Sequence, residues 1–339
     1  MYRLVRAACY FPAGGTEGGR HVAGPDEDRF TLLATALERL SGTPGPPGLT
    51  VIQLGSELPE SQDWAIAAVM GSPVEVARSP PDPPAALEGT PDRILLAADG
   101  PAVVAPANDA PEPDQSPGDG SVALLYRARS AESEGDAERT ISPSPTWLQG
   151  ALVRYRALPE NETVEWIGDW TAERSIVRAR DPGEIARFRQ LPPDGRSEGA
   201  YIPRARYLEG LASHWRFEGD RCSRCSAITF PKRGTCRSCG RSEGLSAIAL
   251  PRDNLEVVAT TTIGSGGQPT EFDHQVEAFG PYEVVLAELA PGLRVTLAVS
   301  DSPAGSIRIG DRIDTRLRRL YPMDGEWRYG RKAVPRPPG

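Results

Sequence analysis

Four of the chain's five cysteines form two Cys-x-x-Cys pairs, Cys222-Ser-Arg-Cys225 and Cys236-Arg-Ser-Cys239, separated by ten residues. Each pair can present two sulfur atoms from one tight turn, and four thiolates can hold a Zn²⁺ ion tetrahedrally. Gly240 follows the second pair, where such a turn often needs a positive φ. The spacing predicts one bound zinc ion. The alternative is two disulfides or four buried thiols.

The four-cysteine pattern predicts a structural role for this zinc. A catalytic zinc keeps one position open for water, whereas four thiolates close the coordination shell. His214 precedes Cys222 by eight residues and could be a ligand, but with four cysteines available we interpret it as an ordinary helix residue. We therefore expect the metal to hold together a segment too small to build its own core.

The composition limits the classes of protein to which the chain can belong. The chain has 339 residues, enough for two domains or three small ones, and its 35 Gly and 34 Pro predict long loops in the first 200 positions. It has no apolar run long enough to span a bilayer, and the start of the sequence lacks a signal-peptide core. With the thiolate cluster, this predicts a cytoplasmic protein.

Charge divides the chain. Residues 1–200 contain 18 Lys and Arg against 30 Asp and Glu, whereas residues 201–339 contain 20 against 16. Within residues 201–241 the ratio is nine to three. The excess of arginine around the cysteines suits a ligand that carries phosphate groups.

The C-terminal half has the more regular pattern. Apolar residues at helical spacing predict one helix from Pro203 to Phe217, which leads into a zinc ribbon, for a segment spanning 201–245. Alternating β-branched runs then predict five short strands and a small closed barrel of the OB type over 246–336. The predicted strands are Leu255–Ile263, Tyr282–Leu289, Leu293–Val299, Asp311–Leu320 and Trp327–Val334. Pro291-Gly292 and Ile309-Gly-Asp311 are predicted hairpin turns.

The N-terminal half, 1–170, predicts an α/β layer. An acidic start followed by a helical apolar stripe predicts a helix from Asp28 to Leu40, and a second helix is expected over Gln62–Met70. Buried strands are expected at Leu49–Leu54, Arg93–Ala97 and Gly120–Tyr126. Residues 171–200 are predicted to be a linker with a short helix beginning at Asp181-Pro182. Loops are expected in the proline-rich, aspartate-rich and serine-rich segments 79–92, 106–118 and 130–146.

An ordered set of C-terminal motifs resembles one protein family over residues 198–336. The family is the zinc-ribbon/OB-fold acyl-CoA-associated group, whose members accompany thiolases or hydroxymethylglutaryl-CoA synthases. The resemblance implies that the ribbon and barrel bind a thiolase-fold enzyme and contribute a surface for the coenzyme A arm. The motifs are Tyr201-Ile-Pro-Arg204, Tyr207-Leu-Glu-Gly210, the two knuckles with Phe230-Pro-Lys-Arg233 between them, Gly280-Pro-Tyr282, Ile309-Gly-Asp311 and Arg328-Tyr-Gly-Arg331.

Parts of the N-terminal half resemble a thiolase-fold enzyme of the hydroxymethylglutaryl-CoA synthase type. The resemblance rests on 23–28, on 94–99 and on the turn and strand at 118–125. Such an enzyme needs a nucleophilic cysteine at a helix N-terminus, and the one cysteine outside the two pairs is Cys9, at the end of a predicted strand. The resemblance therefore implies a degenerate, thiolase-like partial domain without catalytic residues.

These patterns predict a non-catalytic accessory subunit that binds a thiolase-fold enzyme and helps to hold or pass acyl-CoA. The expected ligands for the coenzyme A phosphates are Arg221, Arg224, Lys232, Arg233 and Arg237. One alternative is a nucleic-acid-binding protein, since ribbons and OB barrels both serve that role. Another is an independent enzyme that uses Cys9, with His21 or His274 as the remaining histidines, or the adjacent pair Asp273 and His274, which we expect in a loop.

Overall fold

The structure is a computed structural model. By its internal contacts the chain divides into two units, Met1–Arg180 and Asp181–Gly339, which are treated separately below. The described residues are 2–10, 14–15, 21–22, 24, 26–41, 50–54, 63–71, 75–79, 92–99, 120–128, 165–167, 202–323 and 326–336.

The N-terminal unit contains a six-stranded mixed sheet and a small two-stranded one. The large sheet has the order β5-β4-β6-β7-β1-β8, with β4 parallel to both β5 and β6, and β7 antiparallel to its neighbours β6 and β1. The expected strands at 49–54, 93–97 and 120–126 are therefore present. The bounds are β1 (Tyr2–Tyr10), β2 (Gly14–Gly15), β3 (His21–Val22), β4 (Thr50–Leu54), β5 (Glu75–Ser79), β6 (Asp92–Asp99), β7 (Gly120–Ala128) and β8 (Glu165–Ile167).

Helix α1 (Arg29–Ser41) forms the core of this unit against β1, β6 and β7. It is buried nearly all round, with Phe30 and Leu37 each 1% exposed. Its start is fixed by a capping box, in which Thr31 N–H donates to Asp28 Oδ1 and Asp28 N–H donates to Thr31 Oγ1. The predicted helix from Asp28 is confirmed, with Asp28 as its cap. A second helix, α2 (Asp63–Met70), also follows the prediction.

The C-terminal unit begins with two short helices, α3 (Arg204–Glu209) and α4 (Leu211–Arg216). The prediction of one continuous helix from Pro203 to Phe217 was wrong at Gly210. This glycine has φ −82° and ψ −9°, and its N–H reaches the carbonyl oxygens of both Arg206 and Tyr207. Glycine costs about 1 kcal/mol in a helix interior, so the continuous helix breaks there.

A three-stranded antiparallel sheet follows, with the order β10-β9-β11. Its strands are β9 (Glu218–Cys222), β10 (Ile228–Thr229) and β11 (Leu245–Ala249). β9 enters directly from α4 through Phe217, which has φ 51°. This sheet carries the first cysteine pair at the end of its central strand.

A five-stranded sheet completes the unit, in the order β14-β13-β12-β15-β16. A parallel bridge between Val299 and Ala333, with Ser300 N–H donating to Ala333 O, joins the two outer strands and closes the sheet on itself. All five predicted strands are therefore present in one closed structure. They are β12 (Leu255–Ile263), β13 (Tyr282–Ala290), β14 (Leu293–Ala298), β15 (Arg312–Met323) and β16 (Glu326–Pro335).

Two local predictions in this unit were wrong. Asp273 and His274 lie in helix α5 (Asp273–Phe279) rather than in a loop, since an acidic first residue and Gly280 at the far end, with φ 74°, provide start and stop signals. Ile309-Gly-Asp311 is a turn but joins no hairpin, because β14 pairs with β13 and β15 pairs with β12 and β16. The Pro291-Gly292 hairpin is present, with Gly292 at φ 69°.

The short helix expected after Asp181, the rest of the linker to residue 200 and almost all of the three expected loops lie outside the described residues. None of the helices that the structure describes combines the length and the apolar character needed to cross a bilayer.

Candidate metal centre

The four cysteines that the spacing singled out converge in the structure. The sulfur atoms of Cys222, Cys225, Cys236 and Cys239 all lie within 4.8 Å of one another. Cys222 Sγ is 3.7 Å from Cys239 Sγ, and Cys225 Sγ is 3.5 Å from Cys236 Sγ. A tetrahedral ion with Zn–S bonds of about 2.3 Å sets its sulfur atoms about 3.8 Å apart, so the cluster has the dimensions of a metal site.

The two cysteine turns are built alike. Ser226 N–H donates to Cys222 O at 2.9 Å, and Gly240 N–H donates to Cys236 O at 3.0 Å. Ser226 has φ 58° and Gly240 has φ 72°, so each second cysteine is followed by a residue in the left-handed region. The expectation for Gly240 is confirmed. Ser226 was missed, because a serine carries no sequence signal for that conformation.

Backbone donors around the sulfur atoms favour thiolates at two positions. The N–H groups of Cys239 and then Ser238 lower the pKa of Cys236 to about 6. Those of Cys225 and Arg224 lower the pKa of Cys222 in the same way. The N–H of Ala227 lowers the pKa of Cys225, but the neighbouring sulfur of Cys236 and burial outweigh this effect and raise the pKa of Cys225 to about 11. A divalent cation bound by the four cysteines would displace the proton of the Cys225 thiol.

The segment between the knuckles is tied to the preceding helix. Lys232 N–H donates to Ser213 Oγ at 2.9 Å, and Ser213 Oγ donates to Glu218 O at 3.0 Å. Thr229, buried in β10, accepts the N–H of Arg237 on Oγ1 and so positions the second knuckle. Neither Ser213 nor Thr229 was found from the sequence, since both act through contacts made only in the fold.

The structure separates the five basic residues expected to bind phosphate into two kinds. Arg221, Arg224, Arg233 and Arg237 have exposed side chains. Lys232 is half-buried, and its Nζ pairs with Glu218 Oε1 and lies 3.7 Å from Asp220 Oδ1. All five stay predicted phosphate ligands, but the charge of Lys232 is already shared by two carboxylates.

The other residues that the sequence suggested for chemistry are not among the clustered ligands. His214 is exposed on α4 and is not one of the clustered ligands. Cys9 lies in β1 opposite Val122 of β7, His21 lies in β3, and His274 lies on α5. In the part of the chain that the structure describes, the four cysteines form the one group of three or more metal-binding side chains.

Comparison with known proteins gives a sequence likeness to scaffold proteins. The chain is 29% identical over 131 residues to a DUF35 domain-containing scaffold protein of Methanothermobacter thermautotrophicus, covering 37% of this chain and 91% of that protein. It is 29% identical over 120 residues to a protein of the same description from Methanocaldococcus jannaschii, covering 34% of this chain and 79% of that protein. No family model matches the chain.

Solved structures also match parts of the chain, and two of them illustrate the likeness. One is described as "Ltp2-ChsH2(DUF35) aldolase", with a TM-score of 0.30 and 21% identity, covering 40% of this chain and 98% of that chain. The other is a 3-oxoacyl-(acyl-carrier-protein) synthase III, with a TM-score of 0.28 and 16% identity, covering 39% of this chain and 52% of that chain.

Proposed function

We propose that this chain is a non-catalytic accessory protein whose C-terminal unit is a DUF35-type scaffold for a thiolase-fold enzyme. The observation that carries the proposal is the likeness to two scaffold proteins, which extends over 91% and 79% of their lengths. We assign that likeness to the C-terminal unit, where the metal cluster and the closed sheet lie.

The metal of this scaffold is a single structural Zn²⁺ ion. All four candidate ligands are cysteine sulfurs at distances that suit tetrahedral coordination, so no position is left for a water or a substrate. Cys222 and Cys236 are 1% and 3% exposed, so half of the coordination sphere lies inside the fold. The metal therefore stabilises the ribbon rather than taking part in a reaction.

The five-stranded sheet is an OB-type barrel. The order β14-β13-β12-β15-β16, with antiparallel neighbours and a parallel closing bridge at Val299 and Ala333, is the strand arrangement that this assignment requires. Its core is a continuous cluster that includes Val257, Val285 and Ile313, each fully buried. The barrel thus provides a rigid platform for the ribbon.

The N-terminal unit is a degenerate thiolase-like domain that performs no chemistry of its own. Cys9 lies next to the end of β1, a strand flanked by β7 and β8, and not at the start of α1 or α2. A nucleophilic cysteine of the thiolase kind depends on a helix N-terminus to lower its pKa. This placement supports a pseudoenzyme.

The partner assignment is tested by purifying the tagged full-length chain from its native cells and identifying the proteins that copurify in stoichiometric amounts. The expected result is a thiolase-fold enzyme that stays bound through gel filtration. Recovery of the chain without such an enzyme contradicts the proposal. Salt-dependent binding of single-stranded DNA at near-physiological ionic strength would favour a nucleic-acid function instead.

The acyl-CoA role is tested with acetyl-CoA and its 3′-dephospho form by calorimetry on the full chain with its partner. Replacing Arg233 by Gln removes an exposed guanidinium from the ribbon and should weaken acetyl-CoA binding about ten- to 150-fold, as expected for the loss of one charge-assisted hydrogen bond. Arg206→Gln is the matched control, because Arg206 pairs with Glu209 on α3. Equal acetyl-CoA affinities for the wild-type protein and both variants would contradict a role of Arg233 in binding the coenzyme A phosphates.

A further inference from the structure

Strand β11 has one edge that pairs with no strand in the part of the chain that the structure describes. In the order β10-β9-β11 it pairs with β9 alone, and the side chains of Ala247 and Ala249 are exposed. Its sequence, Leu-Ser-Ala-Ile-Ala, contains no charge, proline or glycine. Proteins commonly protect exposed sheet edges with charged residues or proline, because an unprotected edge pairs with other strands.

The hydrogen-bond register identifies which backbone groups of β11 point outward. Ser223 N–H donates to Gly244 O, and Leu250 N–H donates to Phe217 O, so residues 244, 246, 248 and 250 face β9. Cys222, opposite Leu245, instead donates its N–H to Ala227 O on the other side of β9. The N–H and C=O groups of Leu245, Ala247 and Ala249 therefore face away from the sheet. No described residue accepts from or donates to them across this edge.

The charges near the edge indicate the chemistry of its occupant. Arg221 lies opposite Ser246 on the neighbouring strand, and Arg241 precedes β11 by four residues. Both side chains are exposed, and neither forms an ion pair with a described residue. Glu243 is also exposed, two residues before β11, whereas Glu218 and Asp220 on β9 already pair with Arg216 and Lys232. Arg221 and Arg241 therefore outnumber the one acidic side chain near the edge that pairs with no described basic residue, and this excess suits carboxylates.

A second copy of this chain does not fit the edge well as its occupant. Two five-residue strands paired edge to edge bury far less than the roughly 1,200 Å² of total surface that a stable specific interface needs. A partner that binds elsewhere as well, and adds one extended segment here, meets that requirement.

We propose that β11 is a strand-addition site, and that the partner of this scaffold contributes an extended acidic segment that pairs with Leu245, Ala247 and Ala249. The inference rests on the proposed scaffold function for the identity of the partner protein. Backbone hydrogen bonds to the three outward-facing residues provide the affinity, and Arg221 and Arg241 select carboxylates on the added strand.

The edge is tested with two synthetic peptides, one alternating Thr and Glu and the other alternating Thr and Lys. Each is added in millimolar excess to the zinc-loaded full-length protein, because an isolated strand buries little surface at this edge and binds it weakly. Amide hydrogen exchange at Leu245, Ala247 and Ala249 should slow at least five-fold with the Glu peptide and remain unchanged with the Lys peptide. Unchanged exchange with both peptides overturns the proposal. Equal slowing with both overturns its acidic preference.

Ala247→Pro supplies the structural control. The N–H of residue 247 faces outward, so proline removes an edge donor without removing a β9–β11 hydrogen bond. It should abolish slowing by the Glu peptide, whereas Ala247→Thr should retain it. Zinc content shows whether the ribbon is intact, and Ala249→Pro is the second variant if it is not. Binding of the peptide to both proline variants contradicts strand addition. Since the peptides replace the partner, this failure leaves the copurification experiment as the separate test of the scaffold function.

Discussion

Glu218 shows how single residues connect the metal-binding segment to the helix before it. Its carboxylate accepts hydrogen bonds from Lys232, between the knuckles, and from Arg216 at 3.0 Å at the end of α4. Burial alone raises the pKa of Glu218, but the hydrogen bonds from Lys232 and Arg216 outweigh it and lower the pKa below its ordinary value. A carboxylate of this kind stabilises the fold only while it is ionised.

Replacing Glu218 by Gln should therefore reduce the free energy of unfolding by about 1 kcal/mol at pH 7. Because the folded pKa of Glu218 is lowered, its contribution is fully present above the unfolded pKa and is lost as the pH falls through the folded value. The difference between the two proteins, measured by urea unfolding, should shrink between pH 5 and pH 3. Glu209→Gln is the control, since the Arg206–Glu209 pair is 76% and 62% exposed and should contribute little. A difference that grows on acidification would contradict the assignment.

The residue-level predictions succeeded where sequence spacing alone determines geometry. The Cys-x-x-Cys pairs predicted the cluster because each turn fixes two sulfur atoms within a few residues. Lys232 stays a predicted phosphate ligand, but its pairing with two carboxylates on β9, more than ten residues away in the chain, was not predicted. Side-chain pairing across a sheet depends on register, which the sequence around Lys232 does not encode.

At the scale of elements, the close contact between β9 and β10 depends on Gly219. A Cβ atom built on Gly219 would lie 2.9 Å from the carbonyl oxygen of Thr229 and 3.4 Å from Leu250 Cδ1. The first of these is a backbone atom of the paired strand and cannot move without disturbing the ladder. The glycine is needed here for space, since its backbone is not in the left-handed region.

Gly219→Ala should destabilise the C-terminal unit by about 1–3 kcal/mol, because the added methyl group separates β9 from β10. Gly264→Ala is the matched control: a Cβ there meets nothing within 4 Å, and the change should stay within about 0.5 kcal/mol. Thermal unfolding of the zinc-loaded protein measures both. Equal melting temperatures for the two variants would show that the strands can separate without cost.

The elements of the barrel were predictable from their runs of β-branched residues, and core and surface positions alternate over much of β13 and β14. Strand β16, by contrast, is buried along almost its whole length. The ribbon strands were not predicted individually, since β10 has two residues and β11 alternates weakly. The break at Gly210 and helix α5 were missed for a related reason. Each is set by one or two single residues, Gly210 in the first case and Asp273 with Gly280 in the second, which count for little in a pattern taken over many residues.

At the scale of the whole C-terminal unit, the ribbon and the barrel share one hydrophobic core. Phe217 comes just before β9 and Leu250 just after β11, and Leu250 N–H donates to Phe217 O. Both belong to the buried cluster of the barrel, and Ile228 and Phe230 pack against it. Phe230 also contacts Phe217 edge to face, with ring centroids 5.5 Å apart. Loss of order in the ribbon therefore removes part of the barrel core.

Removing the metal should destabilise the barrel as well as the ribbon. We expect about one zinc ion per chain in the wild-type protein and in Cys9→Ser, and substoichiometric zinc in Cys236→Ser, by elemental analysis. Hydrogen exchange of β12, measured by mass spectrometry, should accelerate in Cys236→Ser or after chelation and stay unchanged in Cys9→Ser. Faster exchange confined to residues 218–249 would show that the two sheets unfold independently.

Phe217 places a constraint on how such proteins can be recombined. This residue ends α4 in a left-handed conformation and is followed directly by β9. Its ring packs in the barrel core, and the residue is 2% exposed. A ribbon grafted from another protein by matching cysteines alone would arrive without this ring and leave a hole beneath the barrel. A recombined protein should therefore stay folded when the exchanged segment runs from before α4 to the end of the barrel. The ribbon and the barrel should then be inherited together.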